Sequence, residues 1–123
     1  MAPLPSDALV ESLRLPGTAS ISPDKLAALL ELPLQDLARF AGVHRNSLRL
    51  HPETPRAQAF ARNVVRVLQI ITDVRGDPDE ARYLFKNAPI PPLGYKTALE
   101  LVEEGRTEDV AGYLRSVSAG FVG

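Results

Sequence analysis

After Thr54-Pro55 the apolar residues Ala57, Phe60, Ala61, Val64, Val67, Leu68, Ile71 and Val74 recur in steps of three and four, with Arg56, Arg62, Asn63 and Arg66 falling largely between them. That spacing lays one apolar stripe along a helix and predicts a long amphipathic helix that ends at Gly76. Val65 and Ile70 lie off the stripe and widen it beyond what a single neighbour covers, which suits a central helix or a dimer surface, and the central position is expected. Shorter runs keep the same period. Residues 22–50 divide into helices over about 23–31, 34–41 and 44–50, and a further helix over about 78–87 carries Ala81, Leu84 and Phe85 on one side. From Thr97 the pattern turns helical with Leu99, Leu101 and Val102 and stops at Gly105. A last helix, capped by Thr107, holds Val110, Leu114 and Val117 in register. Residues 7–15 carry only a weak helical signal.

The helix starts have a chemical signature. Ser22-Pro23, Thr54-Pro55 and Asp77-Pro78 each place a capping oxygen before a proline. The cap takes an unpaired N–H of the first turn, and proline has no N–H to leave unpaired. Asp79 and Glu80, and later Glu108 and Asp109, put carboxylates in first turns, where the helix dipole favours them. Eleven prolines in 123 residues is well above the average of about 5%, and these positions make them boundary markers. Three of them, in Ala88-Pro89-Ile90-Pro91-Pro92-Leu93-Gly94, exclude regular helix and predict a loop or docking strap. The reading is all-α: an N-terminal extension over 1–20, a helix-turn-helix bundle over 21–75, and a small helical module over 76–123.

Composition narrows the function. With 45% hydrophobic and 24% charged residues the chain is an ordinary globular one, and its 123 residues can bury a modest core. No cysteine is present, so disulfides, thiolate metal sites and a Cys nucleophile are excluded. The start, Met-Ala-Pro-Leu-Pro-Ser-Asp, has neither a basic nor an apolar leader region, and no apolar run is long enough to span a membrane; a soluble, cytoplasmic protein is expected. No Gly-x-Gly-x-x-Gly, P-loop, His-Glu-x-x-His or Gly-x-Ser-x-Gly occurs, and neither enzyme activity nor a cofactor is expected. His44 and His51 fall on roughly one helix face without a third ligand, which favours phosphate contact or plain exposure over metal.

The formal charge of −1 conceals a strong asymmetry. Residues 39–66 carry six arginines against Glu53 alone, a net +5, whereas residues 1–38 and 76–123 are each −3. The positive segment coincides with a possible helix-turn-helix. In SPDKLAALLELPLQDLARFAGVHRNSLRL, Ala38 is small enough for a helix crossing, Gly42 suits a positive φ in the turn, and Val43 locks the pair. The third helix then offers His44, Arg45, Asn46, Ser47 and Arg49 to phosphates and major-groove base edges, with Leu48 turned to the core. Arg62 and Arg66 sit one turn apart on another helix and are expected at solvent or an interface. Because the acidic remainder weakens binding by a lone monomer, a homodimer is expected on operator DNA.

The C-terminal thirty residues bury little alone and need a partner surface, with Tyr95, Tyr113, Phe121 and Val122 as candidate contacts. Here Leu93-Gly94, Lys96-Thr97-Ala98-Leu99-Glu100-Leu101, Gly105-Arg106, Asp109-Val110, Tyr113-Leu114 and Ala119-Gly120-Phe121 resemble the toxin-binding domain of the Xre/MbcA/ParS antitoxins. The resemblance covers about residues 60–123. Ala98 departs from the proline frequent after the threonine, which should loosen that helix start. The resemblance implies a type II antitoxin that binds a RES-domain, NAD-degrading toxin and represses its own promoter, in a larger toxin–antitoxin complex. It also implies that the C-terminal end approaches the toxin's active-site entrance. An apolar tail of Phe121 and Val122, ending in the Gly123 carboxylate, can occlude that entrance, while Lys96, Thr97, Arg106 and Arg115 are candidate polar contacts. Two alternatives stay open: a stand-alone regulator whose C-terminal helices only dimerise, and an antitoxin whose helix-turn-helix serves assembly alone.

Overall fold

The computed structural model describes residues 5–120, and the side chains of residues 8–118. The described chain is all-helical: α1 (Pro5–Leu13), α2 (Pro23–Leu30), α3 (Leu34–Ala41), α4 (Arg45–Leu50), α5 (Pro55–Arg75), α6 (Pro78–Asn87), α7 (Ala98–Glu103) and α8 (Thr107–Gly120), with a short 3₁₀ turn at Pro91–Leu93. Among the described residues extended pairing is limited to two isolated bridges, Arg14 with Ile21 and Ile90 with Lys96. No described helix is long and apolar enough to cross a membrane. The chain forms two compact units, Met1–Val65 and Arg66–Gly123, so α5 begins in the first and ends in the second. The sequence pattern places its boundary later, at Gly76, because periodicity follows the helix and Gly76, with φ of 76°, is where the helix stops.

In the first unit the predicted cap at Ser22 forms. Ser22 Oγ accepts from the backbone N–H of Lys25 at 3.2 Å, and the Thr54 carbonyl accepts the first bond of α5 from Gln58. Leu26, Leu30, Leu37, Leu48, Phe60 and Val64 are buried, drawn from α2, α3, α4 and the start of α5. The weak helical signal near the N-terminus is realised as α1, whose Leu13 is buried. Gln58, a polar residue inside the apolar stripe, is itself buried. Its Oε1 accepts from Ile21 N–H at 2.8 Å, and its Nε2 donates to the carbonyls of Ile21 at 2.9 Å and Pro52 at 2.8 Å. That amide ties α5 to the segment entering α2 and satisfies backbone groups that no helix pairs.

In the second unit Phe85, Leu101 and Val110 are almost wholly buried, together with Ala81, Ala98 and Ala111. Asp77 caps α6 by accepting from Asp79 N–H at 3.0 Å. Thr97 and Glu100 form a full capping box at the start of α7, ahead of Ala98. The expectation for Thr107 is corrected. The Arg106 carbonyl accepts the first bond of α8, so Thr107 is already inside the helix, where its buried hydroxyl has no hydrogen-bond partner among the described residues. The proline-rich strap closes on itself: Ile90 donates to the Lys96 carbonyl at 2.9 Å and accepts from Tyr95 N–H at 3.0 Å around the 3₁₀ turn. Gly94 and Tyr95 then take consecutive positive φ values of 76° and 60°.

Candidate nucleic-acid interface and partner surface

The turn between α3 and α4 is set by Gly42, whose φ of 72° is costly for any residue with a Cβ. Its N–H and that of Val43 close back on the α3 carbonyls of Arg39 and Ala38. His44 then caps α4, with Nδ1 accepting from Asn46 N–H at 3.4 Å. Of the helix that follows, only Leu48 is buried; His44, Arg45, Asn46, Ser47 and Arg49 are exposed, and Leu50 is 73% exposed. All five sequence candidates therefore lie at the surface of one short helix and its cap, held from beneath by Leu48.

The arginines of the basic segment divide sharply. Arg39 pairs with Asp36 at 3.5 Å and lies over the Phe40 ring, 4.7 Å from its centre. Arg66 forms a bidentate pair with Glu108, one arm at 3.1 Å, which raises the arginine pKa and lowers that of Glu108 through the hydrogen bonds themselves. Among the described residues Arg45, Arg49, Arg56 and Arg62 have no carboxylate within ion-pair distance. Positive charge left without an internal partner is thus confined, within the basic segment, to the first unit.

The C-terminal candidates behave differently from one another. Tyr95 is 70% exposed on its left-handed backbone. Lys96 is paired with Glu104, Arg106 with Asp109 at 2.9 Å, and Thr97 is occupied in the capping box, so these three serve the fold of their own unit. The Thr97 backbone N–H and hydroxyl also hold the Glu100 carboxyl below its usual pKa. Arg115 is exposed. Tyr113 is half-buried and lines an apolar groove of about 370 Å³ together with Ile71, Val74, Leu84, Leu114 and Val117. Phe121, Val122 and Gly123 lie outside the described residues. Among the described residues no group of three His, Cys, Asp or Glu side chains is placed to hold a metal.

Comparison of the chain with protein-family models, curated proteins and solved structures finds no match. The function is therefore argued from the residues and their placement. Sequence reasoning missed Gln58, whose amide reads as an interruption of the stripe, and Leu50, whose apolar side chain gives no signal that it faces solvent. It also counted Arg56 only as charge, although its guanidinium faces the Cβ position of Gly42 in the α3–α4 turn.

Proposed function

We propose that the chain is a DNA-binding antitoxin: its first unit binds operator DNA through α4, and its second unit holds a RES-domain toxin. The observation that carries the reading is the surface of α4, where His44, Arg45, Asn46, Ser47 and Arg49 are exposed together, with both arginines free of carboxylate partners among the described residues. Unpaired guanidinium groups beside amide and hydroxyl donors suit phosphates and base edges, and two short helices, α3 and α4, joined at the Gly42 turn accord with a helix-turn-helix reading.

The toxin-binding half rests on the sequence resemblance of the C-terminal module. Two surface features accord with it: the exposed Tyr95 and the apolar groove beside Tyr113. On this reading Phe121, Val122 and the Gly123 carboxylate enter the mouth of the toxin's NAD site, with Arg115 as a polar contact at its edge. Lys96, Thr97 and Arg106 support that surface from within.

Crossed variants test the division of labour. Replacing Arg45 and Arg49 with Ala is expected to abolish promoter binding while cells co-producing the adjacent toxin keep their NAD. Deleting residues 121–123 is expected to do the reverse. If the double arginine variant still represses its promoter, α4 is not the DNA-binding element. If the adjacent reading frame encodes no toxin and the chain purifies alone as a dimer, the stand-alone regulator takes its place.

A further inference from the structure

A methyl group built on Gly42 would lie 3.5 Å from Nη2 and 3.6 Å from both Cζ and Nε of Arg56. Three nearly equal distances to non-collinear atoms of one planar group place that group face-on across the glycine. The guanidinium of Arg56 therefore turns one face toward the Cβ position of Gly42 in the α3–α4 turn, two residues before the His44 cap, with room for about a methyl group between them. The side chain is exposed, and among the described residues it has no carboxylate or other hydrogen-bond partner. One face is turned to the Cβ side of Gly42, and among the described residues its N–H edge has no partner in the plane.

That is the geometry in which a guanidinium takes an anion, because bidentate donation to phosphate runs in the plane of the fork and needs the group pre-oriented. Glu53 is the sole acidic residue between residues 39 and 66, and among the described residues no carboxylate lies within ion-pair distance of Arg56, which leaves its charge available to an anion. We infer that Arg56, on α5 rather than α4, is a backbone-phosphate contact of the duplex-binding surface, placed beside the turn that Gly42 makes. The inference rests on the duplex-binding reading above and adds to it a residue that fixes register without reading sequence. Arg62 carries the same charge on the same helix, exposed and without a carboxylate partner among the described residues, but no such contact with the turn is seen for it, which makes it the internal control.

The test is fluorescence anisotropy of the full chain on two labelled duplexes of equal length, one from the region upstream of its own reading frame and one of scrambled sequence, across a salt series. Arg56→Ala is expected to weaken both duplexes by a common factor of about tenfold and to reduce the slope of log affinity against log salt by about 1. Arg56→Lys keeps the charge but not the planar fork, and is expected to keep the slope and lose only part of the affinity. Arg62→Ala is expected to change affinity far less than Arg56→Ala. Equal losses for the two alanine variants would overturn the inference, because net charge alone would then explain both. An unaffected Arg56→Ala beside a collapsed Arg45→Ala/Arg49→Ala variant would overturn it too, while leaving the duplex reading intact. If the unmodified chain ignores both duplexes at low salt, the reading and the inference fall together. Melting curves by circular dichroism establish that each variant is folded.

Discussion

Gln58 shows how one side chain can carry more of a fold than its place in a pattern indicates. Its three hydrogen bonds satisfy Ile21 on both its N–H and its carbonyl, and Pro52 on its carbonyl. Gln58→Leu keeps the bulk and leaves the Ile21 N–H buried without a partner. Such a loss costs about 1–3 kcal/mol, to be read from chemical denaturation, and a neutral result would mean that the segment entering α2 repacks freely. Tyr95 makes the opposite argument. Its ring is exposed and its backbone is left-handed, so a residue with a Cβ there costs stability. Tyr95→Gly removes that cost at the expense of unfolded-chain freedom and is expected to be neutral or stabilising by up to about 1 kcal/mol, whereas Tyr95→Val is destabilising. A marked loss in Tyr95→Gly would show that the ring contributes to the folded state and is not reserved for an outside contact.

At the level of elements, the α3–α4 turn depends on backbone conformation more than on space. A Cβ at residue 42 meets Arg56 only at ordinary contact distance, so the cost of Gly42→Ala comes from its φ of 72° and is expected at about 1–2 kcal/mol, with Gly42→Asn milder. Equal costs for the two would point to crowding instead. The starts of α7 and α8 respond to pH. Glu100, bonded by Thr97, and Glu108, bonded by Arg66, both titrate below the ordinary 4.5. A depressed carboxylate stabilises the fold fully above its unfolded value and loses that contribution as pH falls through its folded value. The melting temperature of the chain is therefore expected to drop on acidification below about 4.5, and Glu100→Gln should flatten that drop. An unchanged acid profile in that variant would remove the capping box from the account.

These elements were legible to different degrees. Proline after a capping residue located α2, α5 and α6 because both the cap and the missing N–H act locally, and the Gly42 turn was legible from its small, glycine and apolar residues. The Thr107 cap was misplaced by one residue, because Thr107 sits beside Gly105-Arg106 and either 106 or 107 can open the helix by composition. The pairings of Arg66 with Glu108 and Lys96 with Glu104 depend on elements far apart or on a closed loop, and nothing in the local pattern announces them. The exposed face of α4 was readable because a single buried residue, Leu48, sets the orientation of a helix so short.

For the molecule as a whole, the distribution of uncompensated charge separates the two units. In the second, Arg66, Arg75, Arg82, Lys96 and Arg106 each have an acidic partner and the exposed Arg115 has none within ion-pair distance, whereas the first keeps four arginines, Arg45, Arg49, Arg56 and Arg62, without one among the described residues. A polyanion is attracted by the latter arrangement, and its affinity should fall steeply with salt. Hydrogen exchange of the full chain, with and without the duplex from upstream of its reading frame, locates the contact directly. Slowed exchange is expected over residues 42–56, with residues 78–118 unchanged; protection centred on the second unit, or none at all at low salt, would contradict the assignment of DNA binding to α4 and the turn before it.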